Sequence, residues 1–194
     1  MNLMFGALGT GAIVLIIIGA VVVLAILWYI SVMNQLRQLE VKVEEAESGI
    51  DVALTKRFDA LTKLLDTTKG YAKHESETLE KVIKWRSGIP TNATLQEKQE
   101  FANSLEKVAS GINVVVEQYP DLKANTTFMN LQGAIMDTEE HLQAARRLYN
   151  SNVRAINHII VTFPQSIVAN AIHMQKKEFF EAEEAKRQDV KMTF

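Results

Sequence analysis

No cysteine occurs anywhere in the 194 residues, which excludes disulfide cross-links, zinc held by thiolates and a thiol nucleophile. Proline is almost as scarce. Only three are present, with nine glycines, so helices can run for long distances without interruption. An excess of either charge is missing too: the formal net charge is -2, with neither the basic surplus of a nucleic-acid binder nor an acidic tail. Aromatic side chains are few, at 7%. Finally, Asp, Glu, Lys and Arg are absent from Met1 to Leu36, and Arg37 is the first charged residue.

That last absence frames what is present. Gly11–Met33 is an unbroken apolar block with fourteen Ile, Val and Leu residues. A bilayer-spanning helix needs about 20 apolar residues. At roughly -0.3 to -0.6 kcal/mol per such residue, insertion is favoured by about 4–8 kcal/mol with no charge opposing it. Trp28 and Tyr29 stand near the C-terminal end of the block, where amphipathic rings suit the headgroup level. A soluble core helix of this length would show a polar face, and a signal peptide would carry a basic start and a shorter apolar core. Gly6, Gly9, Gly11 and Gly19 lack strict GxxxG spacing. Arg37, Lys42, Lys56 and Arg57 follow the span and no basic residue precedes it. The positive-inside rule therefore puts the N-terminus outside and the C-terminal domain in the cytoplasm.

Beyond the span, Leu36, Leu39, Val43, Ala46, Ile50, Leu54, Leu61 and Leu65 form one helical stripe, with Glu40, Lys42, Glu44, Glu47, Asp51 and Lys56 opposite. No proline divides this helix from the span, so the two can form one rod. Gly70 is either a tolerated mid-helix glycine or a bend, and Ser87–Asn92 is a stop. Thr94 to Glu97 has capping-box spacing and predicts a helix start. The stripe that follows (Phe101, Leu105, Val108, Ile112, Val115 and Val116) ends at Tyr119-Pro120. Asn125 or Thr126 caps a last long helix through Phe128, Leu131, Ile135, Leu142, Tyr149, Val153, Ile156 and Ile160, closed by Pro164.

Period-two alternation is nowhere sustained. The fold class is therefore all-α: an N-terminal single transmembrane helix followed by an antiparallel bundle of three or four long helices. The expected organisation is a short segment at 1–10, the span at 11–33, the bundle at 34–163 and a C-terminal amphipathic segment and tail at 164–194. In that tail Ile167, Val168, Ile172, Lys176 and Lys177 are candidates for peripheral membrane contact. With only two basic residues and glutamates close behind, packing against the bundle is the favoured reading.

The chain offers no pattern for chemistry. His74, His141, His158 and His173 lack the partners of a zinc-protease or diiron helix, and neither a phosphate-binding glycine loop nor GxSxG occurs. Asn92-Ala-Thr94 and Asn125-Thr-Thr127 match glycosylation sequons, but at loops they read as caps. No catalytic, cofactor-binding or metal-ligating residue, nucleic acid or small-molecule substrate is expected. The partners expected are the lipid bilayer and further copies of the chain.

Several stretches together resemble the LemA family of bacterial membrane proteins. They include Val43-Glu-Glu-Ala46, Lys69-Gly-Tyr-Ala-Lys-His-Glu75, Tyr119-Pro-Asp-Leu-Lys-Ala-Asn125, Ala145-Arg-Arg147 with Tyr149-Asn150, Phe163-Pro164 and Phe179-Phe-Glu-Ala-Glu-Glu184. The resemblance covers most of the chain after the anchor. It implies an N-terminal membrane helix, a helical bundle and a bacterial cell-membrane location, without supplying a reaction. A magnetosome relative in the family is linked to building internal membranes, which makes membrane organisation the implied theme. The chain departs from the family pattern at Thr62, where proline is frequent, and at Ser87–Thr94, where an alanine-rich loop is frequent. The function expected is a self-associating membrane-anchored scaffold, or alternatively an adaptor or sensor that binds another protein in envelope or stress signalling.

Overall fold

Backbone hydrogen bonding within an apolar, proline-free stretch leaves little choice but helix, and the first helix is long. The computed structural model describes residues 10–68 and 93–180. Helix α1, Thr10–Thr68, runs for 59 residues without a break. It is followed by α2 (Leu95–Gln118), a single turn α3 (Pro120–Lys123), α4 (Thr126–Val161) and the short α5 (Gln165–Ala171). Among the described residues there is no strand. The questions raised at Gly70 and the stop at 87–92 lie outside the described residues.

The helix ends follow local chemistry. The Thr94 hydroxyl accepts from the Glu97 backbone N–H, and the Glu97 carboxylate accepts from the Thr94 N–H at 2.7 Å, which completes a reciprocal capping box. Pro120 opens α3, where its missing N–H costs nothing. The Asn125 side-chain oxygen accepts from the N–H groups of Thr127 and Phe128. After α5, His173 adopts φ 53°, with Met174 N–H donating to Ala169 C=O and His173 N–H to Asn170 C=O. This is a Schellman closure with histidine where glycine is usual.

The chain divides into two compact units. One holds the start of the chain to Lys42 together with Arg154–Lys177, and the other begins with Val43–Val153 and takes up the chain again at Glu178. In the first unit, the large aliphatic side chains from Ile13 to Ile30 are exposed, and burial begins at Val32 and Leu36. Ile156, Ile160, Val168 and Ala169 are the buried side chains of its other segment.

In the second unit the buried positions of α1 advance in alternating steps of three and four: Val43, Ala46, Ile50, Ala53, Arg57, Ala60 and Leu64. One edge of the seam is alanine at every heptad (Ala46, Ala53, Ala60), which lets a neighbouring helix approach closely. The other edge reads Val43, Ile50, Arg57 and Leu64. Leu54 and Leu61 widen the buried face, and Leu65 is only half-buried. Phe101, Leu105 and Ile112 of α2 and Phe128, Leu142 and Val153 of α4 are buried as well. The Phe58 and Phe101 rings meet at 5.9 Å between centroids. Lys98 pairs with Glu47 and Asp51, and Arg57 with Glu106, so α1 and α2 run parallel. Arg57 also pairs with Glu139, while Tyr149 lies near enough to Glu47 to feel its charge, so α4 runs antiparallel to α1.

Candidate functional site

The helical seam of the second unit holds two cations that the apolar pattern does not call for. Arg57 is 3% exposed and stands at a position otherwise filled by valine, isoleucine or leucine. Its guanidinium reaches Glu106 of α2 at 2.7 Å and Glu139 of α4. Gln143 donates to Glu139 from one turn away. Arg146 completes the group: burial lowers its pKa, the Glu139 carboxylate opposes that, and the Arg57 charge adds to it. The cluster balances two guanidiniums against two carboxylates and ties three helices at one level. Buried ion pairs gain little net stability because desolvation offsets attraction, but a polar group in a seam fixes which register can form.

Lys98 forms the second cluster. It is buried on α2, with its ammonium 2.8 Å from Glu47 and 2.8 Å from Asp51. Burial lowers the lysine pKa, but the hydrogen bonds and charges of Asp51 and Glu47 outweigh it and the net shift is upward. This site carries one cation against two carboxylates.

The tail after α5 is bound through its main chain. In the first unit, the Asn157 side-chain amide donates to the Lys177 carbonyl and its oxygen accepts from the Lys177 N–H, both at 2.8 Å. The Lys177 ammonium lies 3.4 Å from Glu40, which Arg37 also pairs at 2.8 Å. The Arg37 hydrogen bond is the main cause holding the Glu40 pKa down; partial burial opposes it and Lys177 reinforces it. In the second unit, the Glu178 carbonyl accepts from the Tyr149 hydroxyl at 3.0 Å and the Phe179 carbonyl from Gln99 at 3.4 Å. The Phe180 main chain is gripped at both N–H and C=O by Asn150. The Phe180 ring is buried, with the Arg146 guanidinium 4.9 Å from its centroid. Burial pushes the Tyr149 hydroxyl up to about 12, with the charges of Glu47 and Glu178 adding to it.

The residues singled out from sequence fall in different places. Trp28 is exposed and Tyr29 half-buried at the end of the apolar stretch. Ile167 is exposed, Ile172 half-buried and Lys176 exposed. Val168 is fully buried and so points inward, away from any outward contact. Lys177 is engaged by Glu40 and Asn157. Rather than an amphipathic helix across this whole stretch, residues 174–180 form a non-helical strap behind a seven-residue helix. Sequence reasoning passed over Arg57, Lys98 and Asn150. The signal for Arg57 was the gap in the stripe between Leu54 and Leu61.

A family model described as the LemA family matches residues 46–194. The chain belongs to the LemA family. A curated relative, Protein LemA of Metamycoplasma hominis, is 30% identical over 164 residues, covering 84% of this chain and 74% of that protein. Two of the motifs that carried the resemblance fall on structural ties of this LemA-family chain. Tyr149-Asn150 and Phe179-Phe180 are the two sides of the tail clamp. The matched region begins at Ala46, past the apolar stretch of α1, within the heptad seam. Among the described residues α1 is the one helix long and apolar enough to cross a membrane, and none of its apolar window is buried.

Proposed function

We propose that this LemA-family protein is a membrane-anchored structural protein whose bundle self-associates to organise the bilayer that holds it. The observation that carries this reading is the change of character along α1. From Ile13 to Ile30 large apolar side chains are exposed around the whole helix, a surface that only lipid covers at low cost, and the same unbroken helix continues as the heptad seam of the bundle. Span and bundle are thus one element. The basic residues after the span support a cytoplasmic bundle.

Self-association draws support from apolar side chains left outside the bundle: Val114 of α2 and Met129, Met136 and Leu148 of α4. Met129 and Met136 are one heptad apart, a spacing that suits a second helix laid alongside. Because native cysteine is absent, a single Met136→Cys variant reports proximity directly. Oxidation or bifunctional cross-linking in native membranes is expected to give a covalent dimer of the chain. Monomer alone, at endogenous expression, contradicts self-association. The same flexible methionines would also suit a different protein. A cross-linked band of one defined foreign mass in place of the dimer would favour the adaptor reading. Exclusion of an impermeant thiol reagent from Val41→Cys in intact cells is expected for a cytoplasmic bundle; labelling there reverses the orientation.

A further inference from the structure

We propose that the corner joining α4 to α5 is a second membrane contact, with Phe163 entering the headgroup layer of the bilayer that α1 spans. This rests on the reading of α1 as the anchor and adds to it a surface far away in sequence. Val161, Phe163 and Ile167 are all exposed at the corner, and Phe163, at 77%, is the most exposed large apolar side chain among the described residues. The corner is also uncharged: from Ala155 to Gln175 there is no Asp, Glu, Lys or Arg. A solvated turn normally carries such residues, whereas a surface meeting lipid sheds them.

Its height along α1 follows from contacts within the first unit. Lys177 is bound to Asn157 through its main chain and to Glu40 through its ammonium, which sets Asn157 near the level of Glu40. Val32 and Leu36 are buried within the same unit, so the segment containing α4's end and α5 covers α1 from Glu40 toward its N-terminus. Four residues of helix from Asn157 to Val161 rise about 6 Å, and Phe163 follows in the turn just beyond, which brings the corner level with about Leu36 to Asn34. Trp28 and Tyr29 lie about 8–12 Å further along, at the edge of the hydrocarbon. The headgroup layer is about 5–8 Å deep on each side. The few ångströms between the corner and the headgroups are within the reach of a phenylalanine side chain directed toward the bilayer, and its ring then enters the outer headgroup layer. A lipid surface is therefore the occupant that the position selects, ahead of a second copy of the chain.

The test uses the full-length protein in vesicles of phosphatidylcholine and phosphatidylglycerol, with single cysteines carrying a nitroxide at Leu27→Cys, Phe163→Cys or Val41→Cys. Each site is exposed in the structure, so the label fits without repacking. Accessibility to oxygen, which concentrates in lipid, is compared with accessibility to a water-soluble nickel complex. Position 163 is expected to show an oxygen-to-nickel ratio several-fold above that at 41 and below that at 27. A ratio equal to that at 41, with 27 deep in lipid, overturns the corner contact while leaving the anchor intact. Low accessibility to both reagents at 163 means that protein covers the site and also overturns it. Nickel access at 27 overturns the anchor and the corner contact together.

Discussion

Asn150 holds Phe180 by both ends of its peptide: the side-chain amide donates to the Phe180 carbonyl at 2.9 Å, and the side-chain oxygen accepts from the Phe180 N–H at 2.8 Å. An asparagine on a helix thereby does for one residue of non-helical chain what a neighbouring strand would do. Asn157 repeats the arrangement on Lys177. The spacings agree, since seven helical residues and three extended ones each cover about 10 Å.

Asn150→Ala removes both bonds and leaves the Phe180 amide without its partner. A destabilisation of about 1–3 kcal/mol is expected in chemical denaturation, with faster hydrogen exchange at Phe180. Unchanged exchange there would mean that the clamp contributes nothing.

Arg57 offers a contrast between two substitutions. Arg57→Ala leaves a hole in the seam and takes the counter-charge from Glu106 and Glu139, and is expected to cost about 2–4 kcal/mol. Arg57→Leu refills the seam, and because both carboxylates are about one-third exposed they can turn to water, so a change below about 1.5 kcal/mol is expected. Comparison of the two denaturation midpoints separates packing from charge; a leucine variant as unstable as the alanine one would show that the ion pairs themselves hold the bundle.

Tyr149 and Lys98 give the alkaline limb of stability. Both hold their protons more tightly when folded than the free side chains do. The contribution of Tyr149 is complete below about pH 10 and is lost as pH rises toward 12, and that of Lys98 is lost as pH rises through its own raised value. The tyrosinate absorbance of one of the four tyrosines should therefore appear only near pH 12, and Tyr149→Phe should abolish that late step. Full tyrosinate absorbance near pH 10 in the folded protein would contradict the burial of Tyr149. On the acid side, Glu40 is held below its ordinary value by Arg37 and Lys177, so its contribution is present above the usual glutamate range and is lost as pH falls below it.

His173 occupies the left-handed region at φ 53°. His173→Gly is expected to stabilise the protein by about 0.5–1 kcal/mol, read as a higher thermal midpoint in detergent, because glycine takes this conformation without a Cβ penalty. A lower midpoint would show that the imidazole makes a contact worth more than the strain.

The apolar start of α1, the cap at Thr94, the Asn125 cap and the all-helical class were legible because each is written in neighbouring residues. Burial of Val43, Ala46 and Ile50 likewise follows a local period. Arg57 and Lys98 were not legible. Charge is read by default as a solvated face, and only partners about fifty or more positions away make these two tolerable inside the seam. The period misled at Leu65, where the seam instead buries Leu64, because steps of three and four follow 3.5 rather than 3.6 residues per turn. Val168 and Ile167 were candidates for membrane contact alike, with packing the favoured reading, because a run of apolar neighbours does not say which side of a short helix is covered; Val168 is buried and Ile167 exposed. The strap is written in asparagines whose partners lie about twenty and thirty residues on, a pairing with no periodic trace.

The most direct measurement of the account is a nitroxide scan along α1 from Ile13 to Leu54 in vesicles. High oxygen accessibility on every face from 13 to 27, giving way beyond Val32 to an oscillation with minima at Leu36, Val43 and Ile50, is the predicted trace. A helical oscillation already present between 13 and 27, or nickel access throughout that stretch, would show a helix packed on protein or bathed in water and would contradict it.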